Sequence, residues 1–209
     1  MRFGIFIYDG VEPIDLATFG VLSMARRVEP RIEIVTIAPR SGPVALANGL
    51  RVFAEYGIDT APMCNVVIVT GGPGWVEQAA SPATRAYFRQ LSSETLVASV
   101  CTGAMILAAS GRLSGKPATT KREVVPPERP PIDLLRESYP DIRVAEASLV
   151  DAGPVITGGG VSLCIDTTLH IIARVVGEEV ASETARILEY SRARRANLVE
   201  FPPLAAPGI

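Results

Sequence analysis

"VASVCTGAMILAASG", residues 97–111, decides the fold. Its opening extends an apolar, β-branched run, "TLVASV" (95–100), that reads as a buried strand. From 103 to 110 the small and apolar residues read as a helix, with Gly111 as its C-terminal cap. Cys101 falls on the turn between the two. A nucleophile on a sharp strand-to-helix turn is held out of the sheet, and the amide of the next residue, Thr102, is free to donate to a developing oxyanion. The helix N-terminus that follows would lower the thiol pKa. The alternative reading of the same residue is a small buried hydrophobe.

Outward from this turn, strands and helices alternate. "RFGIFIY" (2–8), "RIEIVTIA" (31–38) and "NVVIVTGG" (65–72) read as strands. Helical patterns cover 14–27, 82–92, 132–138, 162–177 and 178–195. Asn48-Gly49 marks a hairpin, and two further strands flank Asp151-Ala152-Gly153. The proline-rich stretch 117–131 reads as a loop. Continuous apolar strands separated by helices predict a mostly parallel sheet covered on both faces. We expect one domain over residues 1–200 and an extended tail over 201–209.

Composition narrows the function. The 209 residues carry a net charge of -2, which gives no footprint for nucleic acid or an anionic membrane surface. Three scattered cysteines, 64, 101 and 164, argue against a disulfide framework and for a reducing compartment. The N-terminal apolar run is too short for a signal peptide, and none is long enough to span a membrane, so a cytoplasmic protein is expected. One histidine, His170, leaves no metal cluster and disfavours a histidine-based triad, including that of a glutamine amidotransferase. No cofactor is expected. Cys64 and Cys164 read as core, His170 as a structural hydrogen-bonding residue, and "SRARRAN" (191–197) as a solvated helix end.

In parallel sheets ligands bind beyond the carboxyl ends of the strands. Those ends carry Asp9, Glu12 and Asp15 after the first strand, "GGPGW" (71–75), Cys101-Thr102-Gly103, and "GGGVS" (158–162). Taken alone, "GGPG" is also a plain turn, and Asp15 also a charge at a helix start.

Together, "VIVTGGPG", "SVCTGAMILAASGRLSGKPATT" and "VITGGGVSLCIDTTLHIIARVVG" resemble the ThiJ/PfpI superfamily, over roughly residues 1–190. Within it the chain is most similar to isonitrile hydratases and to the sensor domains of AraC-type regulators. They share the C-T-G turn and the G-x-x-x-G-x-x-A-T-T continuation, here Gly111 to Thr120. The resemblance implies a flavodoxin-like three-layer sandwich with a cysteine nucleophile elbow, usually a homodimer acting on a small molecule. It implies that Cys101 is the nucleophile and that Asp15 stands beside the sulfur. It also implies that the backbone amides of Gly72 and Thr102 form an oxyanion hole. Gly71, Trp75 and Lys121 are candidate pocket residues. Thr102 replaces the histidine of proteolytic relatives, a departure the hydratases share.

Two anions in one pocket tend to share a proton, so a Cys101 thiolate beside a protonated Asp15 general acid is expected. That pair suits hydration of an isonitrile to an N-substituted formamide. The relatives usually have His-Trp after A-T-T, whereas this chain has Lys121-Arg122. These cations either favour an anionic substrate or face solvent. Three other readings stay open. One is a ligand-sensing module; with the sequence ending at 209, no DNA-binding domain is expected. The second is a redox-responsive protein whose cysteine oxidises. The third is a glyoxalase- or deglycase-like activity on carbonyls.

Overall fold

Three apolar segments build the centre of a computed structural model that describes residues 1–205. They are β1 (Arg2–Phe6), β6 (Val66–Val69) and β7 (Leu96–Ser99). Every residue of β6 and β7 is buried, as is all of β1 except Arg2. Strands covered on both faces need no polar alternation, which is why these read as unbroken apolar runs. β1 lies parallel to β6 with Phe3 opposite Val66, and β6 lies parallel to β7 with Val66 opposite Leu96.

The sheet grows outward from this core. β2 (Glu33–Ala38) and the two-residue β5 (Tyr56–Gly57) add in parallel beyond β1. On the other side, β11 (Val155–Gly158) pairs in parallel with β7 and antiparallel with β10 (Leu149–Asp151). With β12 (Leu204–Ala205) at the far edge, the order is β12-β10-β11-β7-β6-β1-β2-β5. The chain leaves β1 toward one edge, then returns to add β6 on the other side. The crevice at that reversal is where such sheets bind ligands. A separate hairpin joins β3 (Gly42–Ala45) to β4 (Arg51–Ala54) around the expected Asn48-Gly49 turn, with Asn48 at φ 60°. The short pair β8 (Pro117–Ala118) and β9 (Arg143–Val144) is parallel.

The helices form two groups. α1 (Ala17–Val28), α6 (Cys164–Val175) and α7 (Glu178–Ile187) pack on one another. α2 (Trp75–Ala80), α3 (Pro82–Gln90) and α4 (Gly103–Ala109) form the second, with α5 (Pro131–Ser138) against α4. Ser81 caps α3 through its Oγ, which accepts from the Thr84 amide at 3.3 Å, and Pro82 opens the helix as expected. At its other end Arg112 donates to the carbonyls of Phe88 and Leu91. The result is the expected flavodoxin-like α/β sandwich with a mostly parallel central sheet.

Several boundaries differ from expectation. The helix expected over 14–27 is a 3-10 turn at Pro13–Leu16 followed by α1. α2 has no counterpart in the sequence reading, which assigned no element between "GGPG" and residue 82. The helix expected over 178–195 is two: Glu189, at φ 55°, breaks the pattern between α7 and α8 (Ser191–Glu200). "SRARRAN" is therefore part of a separate helix, docked by Arg194 on Glu178 and by Asn197 on Asp166. Periodicity alone missed the break because both halves are polar enough to read as one amphipathic helix. His170 is hydrogen-bonded to Asp151 on β10 at 2.9 Å, and Asp151 also pairs with Arg174. Of the expected tail, Leu204–Ala205 form β12, parallel to β10; residues 206–209 lie outside the described residues. No helix of the described residues is long and apolar enough to cross a membrane.

Candidate active site

Three strand ends meet at one cleft. Beyond β7, Val100 still bonds Val69 across the ladder, and the chain then turns at Cys101 with φ 52°. A positive φ at a non-glycine residue is strained, and it persists only where its surroundings over-determine it. Here the Cys101 amide donates to Gly159 O at 3.0 Å, and its carbonyl accepts from Thr120 Oγ1 at 2.7 Å. Gly103 follows because a Cβ there would lie 2.3 Å from Val69 O. The Cys101 side chain is thereby held at the cleft, 2% exposed.

Beyond β6, the Gly71 amide donates to Asp15 Oδ2 at 2.6 Å, and the Gly72 amide donates to Thr102 Oγ1 at 2.8 Å. A Cβ on Gly71 would sit 2.4 Å from the Thr102 amide nitrogen. Gly71→Ala is therefore expected to lower unfolding free energy by about 2–3 kcal/mol, measured by urea denaturation. Beyond β1, the Glu12 amide donates to Gly71 O at 2.9 Å, and the 3-10 turn then carries Asp15 inward with no exposed surface. Asp15 Oδ1 is buried without a hydrogen-bond partner.

The cleft holds about 370 Å³, within the range of small-molecule sites. Cys101, Thr102, Gly72 and Trp75 line it together with Glu12 and Lys121. The proline-rich loop and α5 add Val124, Glu128, Arg129 and Leu134. The two adjacent cations part company. Lys121 enters the cleft, whereas Arg122 turns away, its guanidinium 4.2 Å from the Phe201 ring centre and 3.7 Å from Glu146.

Burial dominates the electrostatics. It pushes the Asp15 carboxyl from an ordinary 3.8 up to about 7, with the Glu12 charge adding to the rise. The Gly71 amide, the Cys101 side chain and Lys121 pull the other way. Burial and then the Asp15 charge push the Cys101 thiol up as well; the Thr102 amide, Lys121 and the Thr102 side chain offset only part of this. The expected lowered thiol pKa is thus reversed. The sulfur is nearly solvent-free, and desolvation outweighs the turn's donors. Burial thus favours the neutral thiol over the expected thiolate, and it holds the Asp15 carboxyl well above the usual carboxylate range.

The expected oxyanion hole also changes. The Gly72 amide is engaged by Thr102 Oγ1, so it is not free to receive an oxyanion. Two contributors were missed by sequence reasoning. Glu12 was noted only as an acid after β1. Thr120 braces the turn. Gly160, in the "GGGVS" turn noted after a strand end, stands against the sulfur, since a Cβ there would lie 3.3 Å from Cys101 Sγ. The A-T-T motif carried the Thr120 signal: Thr119 is stapled beside it, its amide donating to Thr157 Oγ1. Cys64 and Cys164 are buried free thiols; burial and the Asp15 charge push Cys164 up to about 12.

The comparisons with known proteins bear on this arrangement. A family model described as "DJ-1/PfpI family" matches residues 1–174. The chain belongs to the DJ-1/PfpI family. Among curated DJ-1/PfpI relatives, the isonitrile hydratase of Pseudomonas putida is 29% identical over 195 residues, covering 92% of this chain and 80% of that protein. The HTH-type transcriptional regulator CdhR of Pseudomonas aeruginosa is 29% identical over 154 residues, covering 73% of this chain and 44% of the regulator. The chain thus spans less than half of that regulator's length. The crystal structure of Drosophila melanogaster DJ-1beta superposes with a TM-score of 0.76 at 19% identity, over 90% of this chain and 97% of that one. That likeness shows the shared fold alone.

Proposed function

We propose that this protein is a cysteine-dependent hydratase that converts an isonitrile to an N-substituted formamide, with Cys101 as nucleophile and Asp15 as proton carrier. The observation that carries the reading is a thiol on a strained turn facing a buried carboxylate poised to titrate near neutrality. A general base works best with a pKa near the working pH.

Chemistry follows from that pair. As Sγ attacks the terminal isonitrile carbon, the Asp15 carboxylate takes the thiol proton. A carbon–sulfur bond forms, and the protonated Asp15 returns the proton to the same carbon, leaving a thioimidate on Cys101. Water then adds to that carbon, with one of its protons passing to nitrogen. The carbon–sulfur bond breaks, sulfur recovers a proton, and the formamide leaves. No oxyanion forms in the first step, so an engaged Gly72 amide does not obstruct it. Thr102 acts by positioning: its Oγ1 ties the glycine turn after β6 to the Cys101 elbow. Thr102→Val is expected to lower kcat roughly tenfold while leaving the fold intact, the scale of losing one positioning hydrogen bond.

The base must be ionised for the first step. The acid limb of kcat/KM is therefore expected to rise through an apparent pKa near 7, the value to which burial pushes Asp15. A profile flat from pH 5 to 8 would remove Asp15 from that role.

A cytoplasmic setting, which would keep Cys101 reduced, and a homodimer belong to the same proposal. Ile14, beside Asp15, and Phe19 on α1 are exposed large apolar residues suited to a subunit contact. A monomeric mass by light scattering would remove that part. A second reading, a ligand-sensing module, is favoured by the raised thiol pKa, which suits a cysteine that rests as the unreactive thiol. Isonitrile binding without turnover would select it.

A further inference from the structure

Of the cations lining the cleft, Arg129 is paired with Glu137 at 2.6 Å. Lys121 has no carboxylate partner among the described residues. Its Nζ donates only to the neutral carbonyl of Glu123. Its stem passes close to the reacting sulfur: a Cβ on Gly160 would lie 2.8 Å from Lys121 Cγ and 3.3 Å from Cys101 Sγ. Its backbone is fixed, because its carbonyl accepts from the Ile132 amide at 3.1 Å. The lysine stem therefore lies near Sγ, and among the described residues the ammonium's one acceptor is a neutral oxygen that an anion would outcompete.

We propose that the cleft selects an electrophile carrying a carboxylate a few bonds from its reacting carbon, with Lys121 as the group that binds that carboxylate. The other walls fit this placement. Glu12 and Asp15 come from the segment after β1, and a second anion against them would be repelled. Lys121 enters from the segment after β8, beside the apolar surface of Val124 and Leu134. A neutral substrate would leave the ammonium without an anionic partner; a carboxylate-bearing one gains an ion pair and a fixed orientation at once. Arg122 does not share this role, since it turns outward to Phe201 and Glu146. The inference rests on the reading of Cys101 as the reacting group.

The test compares two alkylating agents of nearly equal size, iodoacetate and iodoacetamide, on the full chain. Mass spectrometry of the Cys101 peptide keeps Cys64 and Cys164 out of the measurement. The ratio of the two rate constants cancels any change in thiol reactivity. That ratio is expected to fall roughly three- to fivefold in Lys121→Met, the scale of one partly exposed ion pair. It should be retained in Lys121→Arg and collapse toward the Met value at high salt. An equal ratio in wild type and Lys121→Met would overturn the proposal. Turnover supplies a second arm: isocyanoacetate should exceed methyl isocyanoacetate in kcat/KM for wild type, and the preference should vanish in Lys121→Met. A ratio that falls while neither isonitrile is turned over would uphold the carboxylate site and refute the hydratase reading.

Discussion

Cys101→Ala is expected to abolish isonitrile hydration, lowering kcat by at least about four orders of magnitude, the scale on which single nucleophiles fail. The thioimidate cannot form without the sulfur, and nothing else in the cleft replaces it. Thr102 lines the cleft with a hydroxyl, but its Oγ1 is committed to the Gly72 amide and the Gly72 carbonyl. The loss should not be a folding defect. Alanine removes one buried atom while the two backbone hydrogen bonds that hold the turn, to Gly159 and from Thr120, remain. Relief of the φ 52° strain does not occur either, because alanine meets the same restriction as cysteine. Formamide appearance followed by chromatography, with circular dichroism as the fold control, checks both halves.

Asp15→Asn should show a larger and less common signature: lost turnover together with gained stability at alkaline pH. The sign follows from the raised pKa. In the folded protein Asp15 titrates near 7, against 3.8 when its carboxyl is free in the unfolded chain. The folded state thus binds the proton more tightly. Its contribution to stability is fully present below about pH 4 and is lost as pH rises to about 7. Above that the wild type carries the full penalty of a buried, partly unpaired carboxylate, on the order of 4 kcal/mol. An amide keeps the shape, and its oxygen can still accept from the Gly71 amide, but it carries no charge. Asp15→Asn should therefore melt higher than wild type at pH 8, and the difference should close near pH 4. A wild-type stability at pH 8 equal to or above that of the variant would show that the carboxylate is solvated. A site that gives up stability to hold a reactive charge is the pattern expected where activity and stability trade off.

Much of this arrangement was legible in the chain because it resides in local chemistry. An apolar run that changes period at Cys101 places the elbow. The residues after successive strands place Asp15, the Gly71-Gly72 turn and the elbow along one sheet edge before any coordinates are known. What stayed illegible depends on packing between segments distant in sequence. Nothing local says that the Gly72 amide is taken by Thr102 Oγ1, nor that the sulfur is so well covered that burial overrides the turn's donors. Lys121 and Arg122 are neighbours of the same charge, yet one enters the cleft and the other stacks on Phe201, far along the chain. α2 was hidden by the glycines and proline that precede it, which read as turn. The α7–α8 break was hidden by a single residue, Glu189, taking a left-handed conformation that its type does not announce.

The measurement closest to the central claim is a rapid-quench experiment on the wild-type protein with cyclohexyl isocyanide, read by mass spectrometry. The account predicts a transient adduct of one whole substrate molecule on the Cys101 peptide, decaying as N-cyclohexylformamide appears. Formamide formed with no adduct on Cys101, or no formamide above the buffer rate, would contradict it.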